Sequence, residues 1–275
     1  MIKKNKKKRI LKVCLCVIGK RENRYVKEFA EHYKKIGYNK IFLYDNNEIN
    51  DEKFEDVIQD EIDKGFISII NLRGLKSRQF YSYKNCYKNN NKKYDWLSFF
   101  DFDEFLELNP TFNKIQDYLG IKKFKKCDTV KINEILYEGY TKLYYENKPL
   151  KERLKNRTRI GRHIKSTVRG NLYINYWSKM KNPHTSLNKF VTCSGSGKII
   201  NYSTSVYTPP DLKLAYLKHY YIKSFEEFCI KQKRGDADKN NLNLNKKLKK
   251  FFDLTKNDRN KLKIMKKIFN ITSLE

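Results

Sequence analysis

The chain has 275 residues, 39% of them hydrophobic and 14% aromatic, which suits one large folded domain and excludes a wholly disordered chain. Its formal charge of +29 draws nucleotides, nucleic acid or anionic lipid without choosing among them, and no stretch reaches the length of a transmembrane helix. The six cysteines contain no CxxC pair, so neither a zinc site nor a disulfide framework is indicated, and buried reduced thiols in a cytosolic protein are expected.

Met1 to Arg9 is a basic arm, expected to be disordered. The apolar run after it is short, carries Lys12 and lacks a small-residue cleavage site, so it reads as a strand and not as a signal peptide. Leu11–Ile18 is that first strand. A helix follows over Glu22–Ile36, with Tyr25, Phe29, Tyr33 and Ile36 on one face and Gly37 as its stop. Lys40–Tyr44 is a second strand, running into Asp45. Asp51–Lys64 is helical up to Gly65, Phe66–Leu72 is a third strand, and Ser77–Asn89 is a third helix. The alternation predicts an α/β fold with a right-handed, doubly wound, mostly parallel sheet.

The fourth strand, Trp96–Phe100, is almost wholly apolar, as strands buried on both faces are, and it runs straight into Asp101, Phe102, Asp103 and Glu104. Ionised carboxylates among large apolar groups are costly unless something pairs with them. In an extended segment Asp101 and Asp103 would share a face. Beyond the carboxyl end of a strand, two such groups suit Mg²⁺ or Mn²⁺ carrying a phosphorylated ligand.

Further on, Phe112–Leu119 is a short helix and Thr129–Leu136 a strand, whereas residues 138–170 are basic and expected to be irregular. Leu172–Trp177, Phe190–Cys193 and Lys198–Tyr202 read as short strands. Leu214–Tyr221 leads to Ser224, which caps a helix over Phe225–Lys233 with Glu227 completing a capping box. Two basic amphipathic helices follow in 240–274, with apolar faces at Leu244, Leu248, Phe251 and Phe252, then at Leu262, Met265, Ile268 and Phe269. They either pack on the domain or lie on a membrane surface. The expected division is an arm (1–9), a main domain (10–238) and a basic helical tail (239–275).

In this order the signals resemble those of GT-A-type glycosyltransferases, above all glycosyltransferase family 92 and related family-2-like bacterial enzymes. The resemblance rests on Arg24 to Phe29 with His32 and Gly37, Phe42 to Asn46, Gln79 to Cys86, and Asp95-Trp96 leading into Asp101 to Phe105. It continues through His163 to Arg169 and His219 to Phe228. The resemblance implies transfer of a sugar from a UDP- or GDP-linked donor to a glycan or lipid-linked acceptor, with inversion, in surface glycan or lipopolysaccharide synthesis. Asp101 and Asp103 match the family's metal-binding Asp-x-Asp, and His219 matches a late histidine that completes the Mn²⁺ or Mg²⁺ shell. Asp45, Asp101, Lys165 and Lys223 fall at donor-binding positions. His184 resembles a loop histidine near the acceptor, His163 stands where it could meet phosphate, and His32 reads as structural. The base that takes the acceptor proton is sought among Glu134, Glu226 and Asp236. The turn after the first strand has neither a Walker pattern nor GxGxxG. The pattern after the fifth strand departs from the family, and Gly170 stands where a proline is usual.

The expected location is cytoplasmic, with the charge and amphipathicity of the tail and of the Met1–Arg9 arm able to hold the chain at an anionic inner membrane face. A nucleic-acid-binding protein is the first rival, disfavoured because no RRM, KH or zinc-finger pattern is present. A metal-dependent nucleotidyltransferase and a non-catalytic member of the same fold are the others.

Overall fold

The computed structural model describes residues 9–172, 182–186, 189–234 and 259–270. Four apolar runs make the first strands, β1 (Val13–Gly19), β2 (Lys40–Asp45), β3 (Ile67–Asn71) and β4 (Trp96–Phe99). Three crossover helices join them, α1 (Asn23–Lys35), α2 (Glu55–Asp63) and α3 (Gln79–Asn90). These strands are all parallel, in the spatial order β3-β2-β1-β4.

The alternation within β1 explains the layering. Val13, Leu15 and Val17 face one core with Tyr25, Phe29 and Tyr33 of α1. Cys14 and Cys16 point to the other side, against Tyr83, Cys86 and Tyr87 of α3. Each large apolar side chain buried in these layers contributes about 1.5–3 kcal/mol. Gly37 and Gly65 close α1 and α2 with φ of 92° and 74°, backbone that other residues adopt only under strain.

Past β4 the sheet becomes mixed. In chain order come β5 (Glu104–Leu108), α4 (Ile115–Leu119), β6 (Thr129–Tyr137), α5 (Leu150–Arg153), β7 (Arg157–Arg169), β8 (Thr192–Ser194) and β9 (Ala215–His219). The sheet continues from β4 as β7-β6-β9-β5, with β8 beside β6. β7 runs antiparallel to both β4 and β6, and β5 antiparallel to β9. The expected α/β class and mostly parallel sheet hold.

Several details differ from the sequence reading. Residues 138–170 are not irregular, since the 13-residue β7 fills the second half. Ile160, Ile164 and Val168 alternate there with basic residues, a period-two signal hidden by the charge. Residues 101–103 form a turn and not an extended segment, and β5 follows at once. Lys198–Tyr202 makes only an isolated bridge from Ile199 to Cys193. Most of Leu172–Trp177, the Met1–Arg9 arm except Arg9, and the first tail helix lie outside the described residues.

The thiols also require correction. Cys127 and Cys193 are joined in a disulfide across 66 residues, tying the chain before β6 to β8. Cys14, Cys16, Cys86 and Cys229 are free and buried, as expected.

At the end of the described chain, α6 (Phe225–Arg234) packs against α7 (Arg259–Phe269). Ile264 and Met265 of α7 meet Phe225, Phe228 and Cys229 of α6. The apolar stripe of the second tail helix is therefore spent on the protein. Among the described residues no helix is long and apolar enough to cross a membrane.

Candidate active site

The site lies where the turn after β4 meets β7, β9 and α6. Phe102 anchors the turn: it is 2% exposed, stacks on Phe54 and packs against Phe29. Its ring fills the space beside Gly19, where any side chain would collide with it. Burying Phe102 turns the flanking Asp101 and Asp103 away from the core.

Each of these carboxylates has an ammonium partner. Lys165, carried in by β7, pairs with Asp101 and lies 3.2 Å from Glu104 Oε1 without a hydrogen bond to it. Asp101 Oδ1 accepts from the Tyr83 hydroxyl at 3.0 Å. Asp103 Oδ2 accepts from Lys231 Nζ at 2.6 Å, and His219 Nε2 stands 3.6 Å from Asp103 Oδ1. Burial pushes both aspartates up, but Lys165 beside Asp101 and Lys231 beside Asp103 outweigh it and hold both below the usual carboxylate range. Burial also works against charge on Lys165, which Asp101 and Glu104 raise nonetheless. Glu104, wholly buried, goes the other way: desolvation raises it to about 7.

His219 ends β9 and links three acids. Its Nδ1 is 2.6 Å from Glu134 Oε2 and 3.9 Å from Glu104 Oε1. Burial disfavours its charge, but Asp103 and Glu134 raise its pKa to about 10. Glu104, Glu134 and His219 are the described residues whose ligand atoms gather within 4.8 Å. The chemistry of this group fits Mn²⁺ or Mg²⁺, two glutamates facing an imidazole, with Asp103 on the other ring nitrogen; Asp101, held by Lys165 and Tyr83, is not part of it. The Glu134–His219 bond holds one ring nitrogen and leaves Nε2 toward Asp103, as a metal-ligating histidine is commonly oriented.

The other expected residues are distributed as follows. Asp45 closes β2, where its carboxylate takes Arg73 at 2.8 Å and the Asn47 N–H at 2.9 Å in an Asx turn. Lys223 is 6% exposed, with its ammonium 4.5 Å from the centre of the Tyr25 ring. Of the three base candidates, Glu134 is held by His219, and Glu226 accepts the Tyr145 N–H at 2.9 Å. Asp236 lies outside the described residues. His184 is buried, its Nδ1 has no hydrogen-bond partner, and burial followed by Lys165 lowers its pKa well below the usual value. His163 is stacked edge-on with Tyr207, and His32 bonds the Leu106 carbonyl at 2.9 Å, the structural role expected of it.

Sequence reasoning missed Lys231 and Arg234. Arg234 pairs with Glu22 and donates to the Lys20 carbonyl at 2.5 Å, closing α6 onto the β1–α1 turn. Together with Glu227 these residues recur at helical spacing, a signal lost in a chain with 60 lysines and arginines.

Comparison with known proteins gives the same direction. A family 92 glycosyltransferase protein of Ricinus communis is 29% identical over 105 residues, 38% of this chain and 18% of that protein. One from Oryza sativa subsp. japonica is 26% identical over 107 residues, 39% of this chain and 18% of that protein. The matched stretch thus spans under a fifth of either relative. The solved structure of S. aureus TarS overlaps 47% of this chain and 22% of its own at a TM-score of 0.33 and 9% identity, a likeness too slight to build on. The model of glycosyltransferase family 92 matches residues 9–252, and the chain belongs to that family.

Proposed function

We propose that this chain is a metal-dependent glycosyltransferase that moves a sugar from a nucleotide-diphosphate donor, UDP- or GDP-linked, to a hydroxyl of a glycan or lipid-linked acceptor. The observation that carries this reading is the pair at the end of a central strand, half-buried Asp101 on Lys165 and buried Asp103 between Lys231 and His219. On the family resemblance Asp101, Asp103 and His219 would hold Mn²⁺ or Mg²⁺, with Glu104 and Glu134 gathered around the same histidine; when bound, the metal offsets charge on the leaving diphosphate.

The chain's own groups divide the remaining work. Glu134 orients His219 through its Nδ1. Lys165 keeps Asp101 ionised and in place. Lys223, a buried cation close to both Asp103 and Glu22, favours an anionic ligand. Asp45 is proposed for the nucleoside end of the donor, at the carboxyl edge of β2. Inversion follows the family resemblance and requires a base opposite the leaving group. With Glu134 and Glu226 engaged elsewhere, Asp236, two residues beyond Arg234, is the candidate base. Surface glycan synthesis is proposed on the same resemblance, and a cytoplasmic membrane face on the basic charge of the arm and tail. Because the α7 apolar stripe is covered, attraction to anionic lipid would be electrostatic.

The test is thermal stabilisation by UDP, GDP and their sugars, with and without Mn²⁺, on the wild type and Asp103→Ala. Ligand at a hundred times its Kd stabilises by about 2.7 kcal/mol, a shift of about 5–10 °C for a chain of this size. A Mn²⁺-dependent shift lost in Asp103→Ala is expected. No shift with any nucleotide, from folded wild type, overturns the donor reading.

A further inference from the structure

Helix α6 turns one charged face toward the site. Glu227, Lys231 and Arg234 recur there at i, i+4 and i+7, and each grips a different element. Glu227 takes two hydrogen bonds of 2.7 Å from Arg153 and one of 2.5 Å from the Tyr25 hydroxyl. Lys231 reaches Asp103, and Arg234 reaches Glu22.

A cavity of about 120 Å³ opens beneath this face, beside Asp103's partner Lys231. Five cations line it: Arg21, Arg24, Lys223, Lys231 and Arg234. Its acids are Glu22, Glu52 and Glu227, and Glu227 is already neutralised by Arg153. Lys223 supplies an independent pointer to a ligand. It is 94% buried by its 6% exposure, lines the cavity, and forms no ion pair among the described residues. Its ammonium sits on the Tyr25 ring face at the cavity, with Asp103 and Glu22 near but not bonded to it, and an anion there would pair with it.

We propose that Lys231 and Arg234 are the cations that grip the diphosphate of the donor, leaving Asp103 and Glu22 as it enters, with Lys223 as the third contact. This rests on the nucleotide-donor reading and assigns it two residues on α6. Arg234 offers the planar fork that suits phosphate oxygens, and Lys231 a point charge beside the Asp103 carboxylate. The ion pairs with Asp103 and Glu22 keep both side chains at the cavity, so an anion needs little further ordering of them. These two residues then read the diphosphate, leaving the nucleoside to Asp45. The chain should discriminate sharply between nucleoside diphosphates and monophosphates.

Titration calorimetry with Mn²⁺ would compare UDP with UMP, GDP with GMP, and inorganic pyrophosphate alone. It would use the wild type, Lys231→Gln, Arg234→Gln and Lys231→Arg, each checked for folding by circular dichroism. The wild type should bind its diphosphate at least about tenfold tighter than the monophosphate. Lys231→Gln and Arg234→Gln should each lose about tenfold for the diphosphate and under about twofold for the monophosphate, while Lys231→Arg keeps most of the preference. Folded glutamine variants that retain the wild-type ratio overturn the assignment. Pyrophosphate binding that the variants lose, with no nucleotide bound by the wild type, would uphold the cavity and overturn the nucleotide donor. Absence of both kinds of binding from wild type overturns both. If one glutamine variant fails to fold, the other and Lys231→Arg still decide the outcome.

Discussion

Arg153→Met tests what holds α6 in place. The Arg153 and Glu227 side chains are 1% and 4% exposed and share two hydrogen bonds of 2.7 Å. Removing one partner from such a pair leaves a buried charge and costs about 3–5 kcal/mol. Glu227 would keep the Tyr25 hydroxyl at 2.5 Å and Ser224 Oγ at 2.7 Å, which argues for the lower end, about 3 kcal/mol. Methionine retains most of the stem's packing, although the guanidinium that lies 5.0 Å from the Tyr145 ring centre is lost. Urea unfolding should show the midpoint falling with little change in slope. The double variant Arg153→Met with Glu227→Leu should recover at least about 1 kcal/mol relative to the single variant, since an apolar pair leaves no charge behind. A single-variant cost under about 1 kcal/mol, or a strictly additive double variant, would refute the claim that the pair anchors this helix.

Four further outcomes follow from the geometry. In Gly161→Ala the new methyl would lie 2.5 Å from Glu134 Cγ, so Glu134 must shift from His219. Loss of such an orienting partner typically costs about 10–100-fold in metal affinity, and Mn²⁺ titration that finds no change refutes the orienting role. Thiol titration of denatured, unreduced protein should count four free thiols, and six after reduction. Replacing Cys127 and Cys193 by serine should cost about 2–4 kcal/mol in urea unfolding, given the 66-residue separation. Glu227 sets a pH response. Burial would raise its pKa, but Arg153 and then the Tyr25 and Ser224 hydroxyls hold it below the ordinary value. A carboxyl depressed by folding gives its full stability above its unfolded pKa of about 4.3 and loses it as pH falls through the folded value. Wild-type stability should therefore fall more steeply than that of Arg153→Met below about pH 4.3, and parallel pH profiles would contradict the pairing.

The parallel half of the sheet was legible because its signals are local. Apolar runs, helical faces and the glycines after α1 and α2 each lie within a dozen residues of what they control. The Asp101-Phe102-Asp103 stretch was legible as an anomaly, with acids placed against an apolar frame. What escaped notice depends on pairing across the chain. Glu134 read as a candidate base because nothing near it in sequence announces His219, 85 residues on. Cys127 and Cys193 gave no spacing signal, since their approach is set by β8 pairing with β6. β7 escaped for another reason. Its basic side chains suggested solvent, but Lys165 is held inside by Asp101 and by the Glu104 carboxylate 3.2 Å away. Charge predicts exposure only until the partners are known.

The contact between α6 and α7 puts the far end of the described chain mechanically in series with the candidate site. Phe225, Phe228 and Cys229 sit on the outer side of α6, shielded by Ile264 and Met265. Lys233 adds a hydrogen bond of 2.6 Å to the Ile268 carbonyl. On the inner side, the same ten-residue helix holds Lys231 against Asp103 and Arg234 against Glu22. A shortened version ending before Arg259 would bare an apolar strip on the back of the element that aims those two cations. Tags, truncations and fusions at that end would be felt at the cavity beneath α6, through one helix diameter of about 10 Å, without touching any residue that lines it.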